Sequence, residues 1–77
     1  MARKLCDNKQ RQIIQEILGP GASLYGCSIR TNPDNTTTIY ISCKNEQIEV
    51  SLEQLKKQVN LVFNATELYL NGTQYLL

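Results

Sequence analysis

Residues 23–51 read SLYGCSIRTNPDNTTTIYISCKNEQIEVS, and apolar and polar side chains alternate along most of the stretch. A period of two marks strands with one buried face, and a one-residue slip in pairing would turn a strand's whole apolar set toward water. A five-residue loop at residues 32–36 sets Ile29 opposite Ile39, Cys27 opposite Ile41 and Tyr25 opposite Cys43. A tight turn at Asn45 and Glu46 then sets Cys43 opposite Ile48 and Ile41 opposite Val50. One face becomes Tyr25, Cys27, Ile29, Ile39, Ile41, Cys43, Ile48 and Val50. The other carries Leu24, Gly26, Ser28, Arg30, Thr38, Tyr40, Ser42, Lys44, Gln47 and Glu49. This is the pattern of a three-stranded antiparallel meander packed on one side.

Helical signals flank the stretch. Ile13, Ile14, Ile17 and Leu18 recur at helical spacing behind Asp7, a candidate N-cap with Gln10 in capping-box position, and Gly19-Pro20 stops the helix with glycine as a left-handed cap. The pattern predicts a helix over Asn8–Leu18. Downstream, Ser51 and Gln54 open a second helix, with Leu52, Leu55, Val59 and Val62 on one stripe over residues 52–62. Phe63 fits either the end of that helix or the start of a strand. Asn71-Gly72 has the composition of a type I′ turn and joins strands at residues 66–70 and 73–77. The expected fold is a single α+β domain over residues 1–77: helix, three-stranded antiparallel meander, helix and C-terminal β-hairpin, with the helices on one sheet face and a basic arm at residues 1–6.

The first five elements follow an order similar to that of double-stranded-RNA-binding domains. Those domains place a basic cluster at the start of the second helix. Here that turn reads LEQL, with only Lys56 and Lys57 behind it, so the resemblance is one of element order and no family is assigned.

At 77 residues the chain buries only about 60% of the surface its unfolded form exposes, which makes for a thin core. With 42% apolar residues and a net charge of +1, the composition is that of a folded domain rather than a disordered chain. The longest apolar run is Leu61-Val62-Phe63, against the roughly 20 residues a membrane span needs, and MARKLCDNKQRQ has no apolar signal core. A cytoplasmic protein with no membrane contact is expected. Three N-x-T sequons, at Asn35, Asn64 and Asn71, then reflect an Asn- and Thr-rich composition.

No histidine is present, which removes the usual general base and the commonest metal ligand. The acids Asp7, Glu16, Asp34, Glu46, Glu49, Glu53 and Glu67 are scattered over separate elements, and the glycines match no phosphate-binding loop. An enzyme is not expected, nor is a cofactor or metal. Cys6, Cys27 and Cys43 are odd in number without C-x-x-C spacing, which favours reduced thiols over a disulfide framework. Cys27 and Cys43 fall on the core face. Cys6, before a helix N-terminus and near Arg3 and Lys4, is the candidate reactive thiol.

Two binding surfaces emerge. Residues 1–11 hold Arg3, Lys4, Lys9 and Arg11 against Asp7 alone, a candidate nucleic-acid contact. The hairpin places Leu68, Leu70, Tyr75 and Leu77 on one face, and Tyr69 and Leu76 on the other beside Glu67 and Gln74. Its terminal strand carries no charge and no proline to protect a free edge. Tyr69, Gln74, Leu76 and Leu77 therefore form the candidate protein interface, for a partner or for a homodimer. The first expectation is a small non-enzymatic binding or assembly module, such as an adaptor or a phage or plasmid inhibitor; the alternative is a nucleic-acid-binding protein using the basic arm.

Overall fold

A computed structural model describes residues 3–44 and 51–77. Helix α1 spans Asn8–Leu18 and helix α2 spans Leu52–Phe63. The strands are β1 (Lys4–Leu5), β2 (Leu24–Thr31), β3 (Thr37–Cys43), β4 (Glu67–Leu70) and β5 (Thr73–Leu76). They form one sheet in the order β1-β2-β3-β4-β5. All neighbours are antiparallel except β3 and β4, which run parallel.

Local chemistry sets the helix ends. Asp7 accepts the Gln10 N–H at 2.8 Å while the Gln10 side chain accepts the Asp7 N–H at 3.0 Å, a complete capping box. Ser51 caps α2 by accepting the Gln54 N–H at 3.2 Å. Phe63 closes α2, because Asn64 turns left-handed with φ 53°. Gly19 ends α1 at φ 105° and ψ 163°, a positive-φ conformation outside the left-handed helical region expected for it.

Both helices lie on one side of the sheet. Ile14 and Leu18 of α1 and Leu55 and Val59 of α2 share a core with Cys27, Ile39, Ile41, Cys43 and Leu68. The pairings Ile29 with Ile39 and Cys27 with Ile41 are as expected, as are Leu70 with Thr73 and Leu68 with Tyr75.

Three expectations need correction. Tyr25 does not pair with Cys43: the register shifts between Leu24 and Gly26, so Leu24 takes that position and Tyr25 is left 61% exposed. A bulge inserts one residue and turns the next side chain over. The meander is also overturned. Along Thr38–Ile41 the far edge of β3 is filled by β4, which sets Ile41 opposite Leu70 and makes the sheet mixed. The expected strand at Gln47, Ile48, Glu49 and Val50, with its turn at Asn45 and Glu46, lies outside the described residues. Parallel neighbours need a long crossover, and α2 lies in the one between β3 and β4. The likeness to the order of double-stranded-RNA-binding domains ends at this edge. Finally, the arm residues Lys4 and Leu5 are a short strand at the opposite sheet edge.

Candidate functional site

With the helices gathered on one face, the other face of the sheet is bare of them. Alternation and register set Leu5, Ser28, Tyr40, Tyr69 and Gln74 in one row across the five strands. A second row runs Arg30, Thr38, Glu67 and Leu76. The rings of Tyr40 and Tyr69 stack with centroids 4.9 Å apart and planes inclined by 13°. The Arg3 guanidinium sits 4.3 Å from the centroid of the Tyr40 ring. Stacked rings and a cation on a ring face are each worth about 0.5–1.5 kcal/mol beyond simple burial. An Arg-Tyr-Tyr stack thus covers the middle of the open face.

The second row is wired by hydrogen bonds. Arg30 Nε donates to Asn32 Oδ1 at 2.8 Å, and Asn32 Nδ2 donates to Thr36 Oγ1 and Thr38 Oγ1, each at 3.0 Å. Thr38 donates onward to Glu67 Oε1 at 2.9 Å, and the Gln74 amide donates to Glu67 Oε2. These bonds enclose Thr38, which is fully buried although it points to the open face. Thr38→Val should lower the unfolding free energy by about 1–3 kcal/mol in a urea titration, because Glu67 and Asn32 each lose a partner. In the adjoining loop the Thr36 hydroxyl and then its backbone N–H hold Asp34 below the usual carboxylate range. That anchoring is present above the ordinary carboxylate value and is lost as pH falls through the depressed one.

The hairpin turn is type I′, with φ 51° at Asn71 and 87° at Gly72. Leu70 and Thr73 flank this two-residue turn, and Leu77 N–H donates to Thr66 O at 3.1 Å. Hydrogen-bonded pairs alternate along an antiparallel ladder, so Thr73, Tyr75 and Leu77 bond inward to β4. Gln74 and Leu76 therefore direct their N–H and C=O groups away from the sheet. Among the described residues nothing pairs with them, since β5 is the last strand of the sheet. Leu76 is 73% exposed. A hollow of about 610 Å³ lined by Arg30, Asp34, Thr66 and Glu67 adjoins it on one side. One of about 290 Å³, lined by Lys56, Lys57 and Asn60 of α2, adjoins it on the other.

The interface residues named from sequence are thus brought together: Tyr69, Gln74 and Leu76 on the open face, and Leu77 half-buried against the core. The four basic residues are not. Arg3 turns to the open face, Lys4 shares the opposite face with Ile29, and Lys9 and Arg11 ride on α1. Cys6, the candidate reactive thiol, is not free but is buried and joined to Cys27 by a disulfide. The register Leu5 with Ser28 brings the next residue, Cys6, to Cys27, with the Cys6 N–H bonded to Cys27 O at 3.0 Å. Cys43 is free and buried, and desolvation pushes its thiol up despite a hydrogen bond with Asn71. Sequence reasoning missed Arg3 as a ring partner and Tyr40 as part of the surface around Tyr69; alternation placed Tyr40 on the open face, but only the parallel β3–β4 pairing sets it beside Tyr69.

Among the described residues no group of three or more Cys, Asp or Glu side chains is placed to hold a metal ion. No helix among them is long and apolar enough to cross a membrane. Comparison with protein families, with curated proteins and with solved structures finds no match to this chain.

Proposed function

We propose that this chain is a non-enzymatic protein-binding module that takes an extended strand onto β5, and that the occupant is β5 of a second copy. The observation that carries this reading is the edge of β5, with which no other described strand pairs, and Leu76 exposed on a sheet face the helices leave bare. Strand addition draws affinity from main-chain hydrogen bonds and specificity from alternate side chains. Antiparallel pairing about a two-fold axis at Tyr75 sets Gln74 opposite Leu76 of the other copy, and Leu76 opposite its Gln74. All four outward groups of each strand are then satisfied. Residues 73–77 carry no charged side chain, so the paired strands bring no like-charged side chains together. Tyr69, diagonal to Leu76, supplies a rigid aromatic anchor of the kind that dominates interface energies.

Light scattering over a concentration series tests the proposal. The expected mass is twice the 8.8 kDa of the chain, and it should persist as salt rises, because apolar and main-chain association is not driven by counterion release. The alternative, nucleic-acid binding, would draw on Arg3 over Tyr40 together with Arg30 on the same face. A monomer that binds single- or double-stranded nucleic acid at physiological salt, with affinity falling steeply as salt is added, would favour it.

A further inference from the structure

The Cys6–Cys27 disulfide joins Cα atoms 5.5 Å apart and links the residue before the α1 N-cap to the middle of β2. Strand β1 runs directly into it. Only two residues of β1 are paired, Lys4 with Ile29 and Leu5 with Ser28, and both of their side chains are exposed, Leu5 by 86%. Apart from the disulfide, the described segment is held by its two-residue ladder with β2, the Cys6 N–H to Cys27 O bond, the burial of Cys6 at the core's edge and Arg3 over Tyr40. A two-residue edge strand with no buried side chain has little to offset the entropy of ordering it. Helix α1 is anchored differently. Its capping box starts after Cys6, at Asp7, and Ile14 and Leu18 are fully buried.

We propose that the Cys6–Cys27 disulfide is a redox latch: its reduction releases β1 from the sheet, lifts Arg3 off Tyr40 and uncovers the outer edge of β2, while both helices and the other four strands stay folded. The reductant is a dithiol. Its two thiols give up two electrons and two protons, its own S–S bond forms, the Cys6–Cys27 bond breaks, and Cys6 and Cys27 become thiols. Exchange proceeds through a thiolate, and Cys43, buried with its thiol pushed up, supplies little of it to scramble the pair. The latch bears on the open face because Tyr40 is stacked on Tyr69. Removing Arg3 bares one face of that aromatic pair. The latch does not depend on the β5 proposal and stands or falls separately from it.

Backbone and side-chain NMR of the full chain with and without dithiothreitol tests it, with alkylation and mass analysis to verify that two thiols have been released. The expected result is loss of the cross-strand contacts Lys4–Ile29 and Leu5–Ser28 and of the ring-current shifts on Arg3, with Cys27–Ile41 and Ile39–Leu68 contacts retained. Oxidised glutathione should restore the lost set. A Cys6→Ser, Cys27→Ser double variant should show the released state without reductant. Contacts of β1 that survive two released thiols would overturn the latch. So would loss of the β2–β3 and β3–β4 contacts along with them, since the disulfide would then be a staple for the whole domain.

Discussion

Leu68→Lys should unfold the chain, whereas Leu76→Lys should leave it folded and monomeric. The two residues lie on adjacent strands and differ in the face they present. Leu68 is fully buried beside Ile39 under the helices, while Leu76 is 73% exposed on the open face. An ammonium in place of Leu68 would be buried without a partner, at a cost of several kcal/mol, which is comparable to the whole stability of so small a domain. At position 76 the same group stays in water in the monomer, and pairing about Tyr75 would set it diagonal to the like charge of the second copy. Leu70→Lys belongs with Leu68→Lys, because Leu70 packs against the core from the same face. Circular dichroism reports the fold, and light scattering the mass. If Leu76→Lys melts as Leu68→Lys does, the terminal strand is structural on both faces and its role as an interface fails.

Ile41→Ala and Ile14→Ala should each lower the unfolding free energy by about 2–5 kcal/mol, the range for removing a large core side chain and leaving a cavity. Ile14 is 0% exposed and Ile41 2%. Ile41 sits between Cys27 of β2 and Leu70 of β4, so its loss is felt across three strands. Ile17→Ala should cost less, since Ile17 only packs against the edge of the core and lines the cleft between the helices. Urea titrations of the three variants measure this order. Equal and small shifts would mean that the core lies elsewhere. A domain of this size has little margin to absorb the larger losses.

Features encoded locally were legible in the sequence. Asp7 with Gln10, and Ser51 with Gln54, bracket their helices because capping involves only residues three apart. The Asn71-Gly72 turn set the hairpin register because a two-residue loop leaves no freedom in it. The pairing of Ile29 with Ile39 followed from matching apolar faces. Contacts made at a distance were hidden. The parallel pairing of β3 with β4 depends on the crossover that contains α2, and no local pattern distinguishes it from a meander. Tyr25 was misplaced because a bulge adds one residue without a mark in the alternation. Two residues are too few for β1 to show any period. The Cys6–Cys27 bridge could be read only from the register of that strand on β2, and an odd cysteine count points away from it. The candidate site was half legible: Tyr69, Gln74 and Leu76 came from the hairpin itself, but the stack of Arg3 on Tyr40 on Tyr69 assembles residues from three separate parts of the chain.

If the outward main-chain groups of β5 are a docking edge, amide hydrogen exchange at Gln74 and Leu76 reports it most directly. In dilute solution both amides should exchange at the rate of solvent-exposed groups, while Tyr75 and Leu77, bonded to β4, exchange slowly. As concentration rises and the mass doubles, Gln74 and Leu76 should become protected together, and Leu76→Lys should abolish that protection. If the mass doubles while these two amides go on exchanging freely, the copies meet elsewhere and β5 is not the edge that binds.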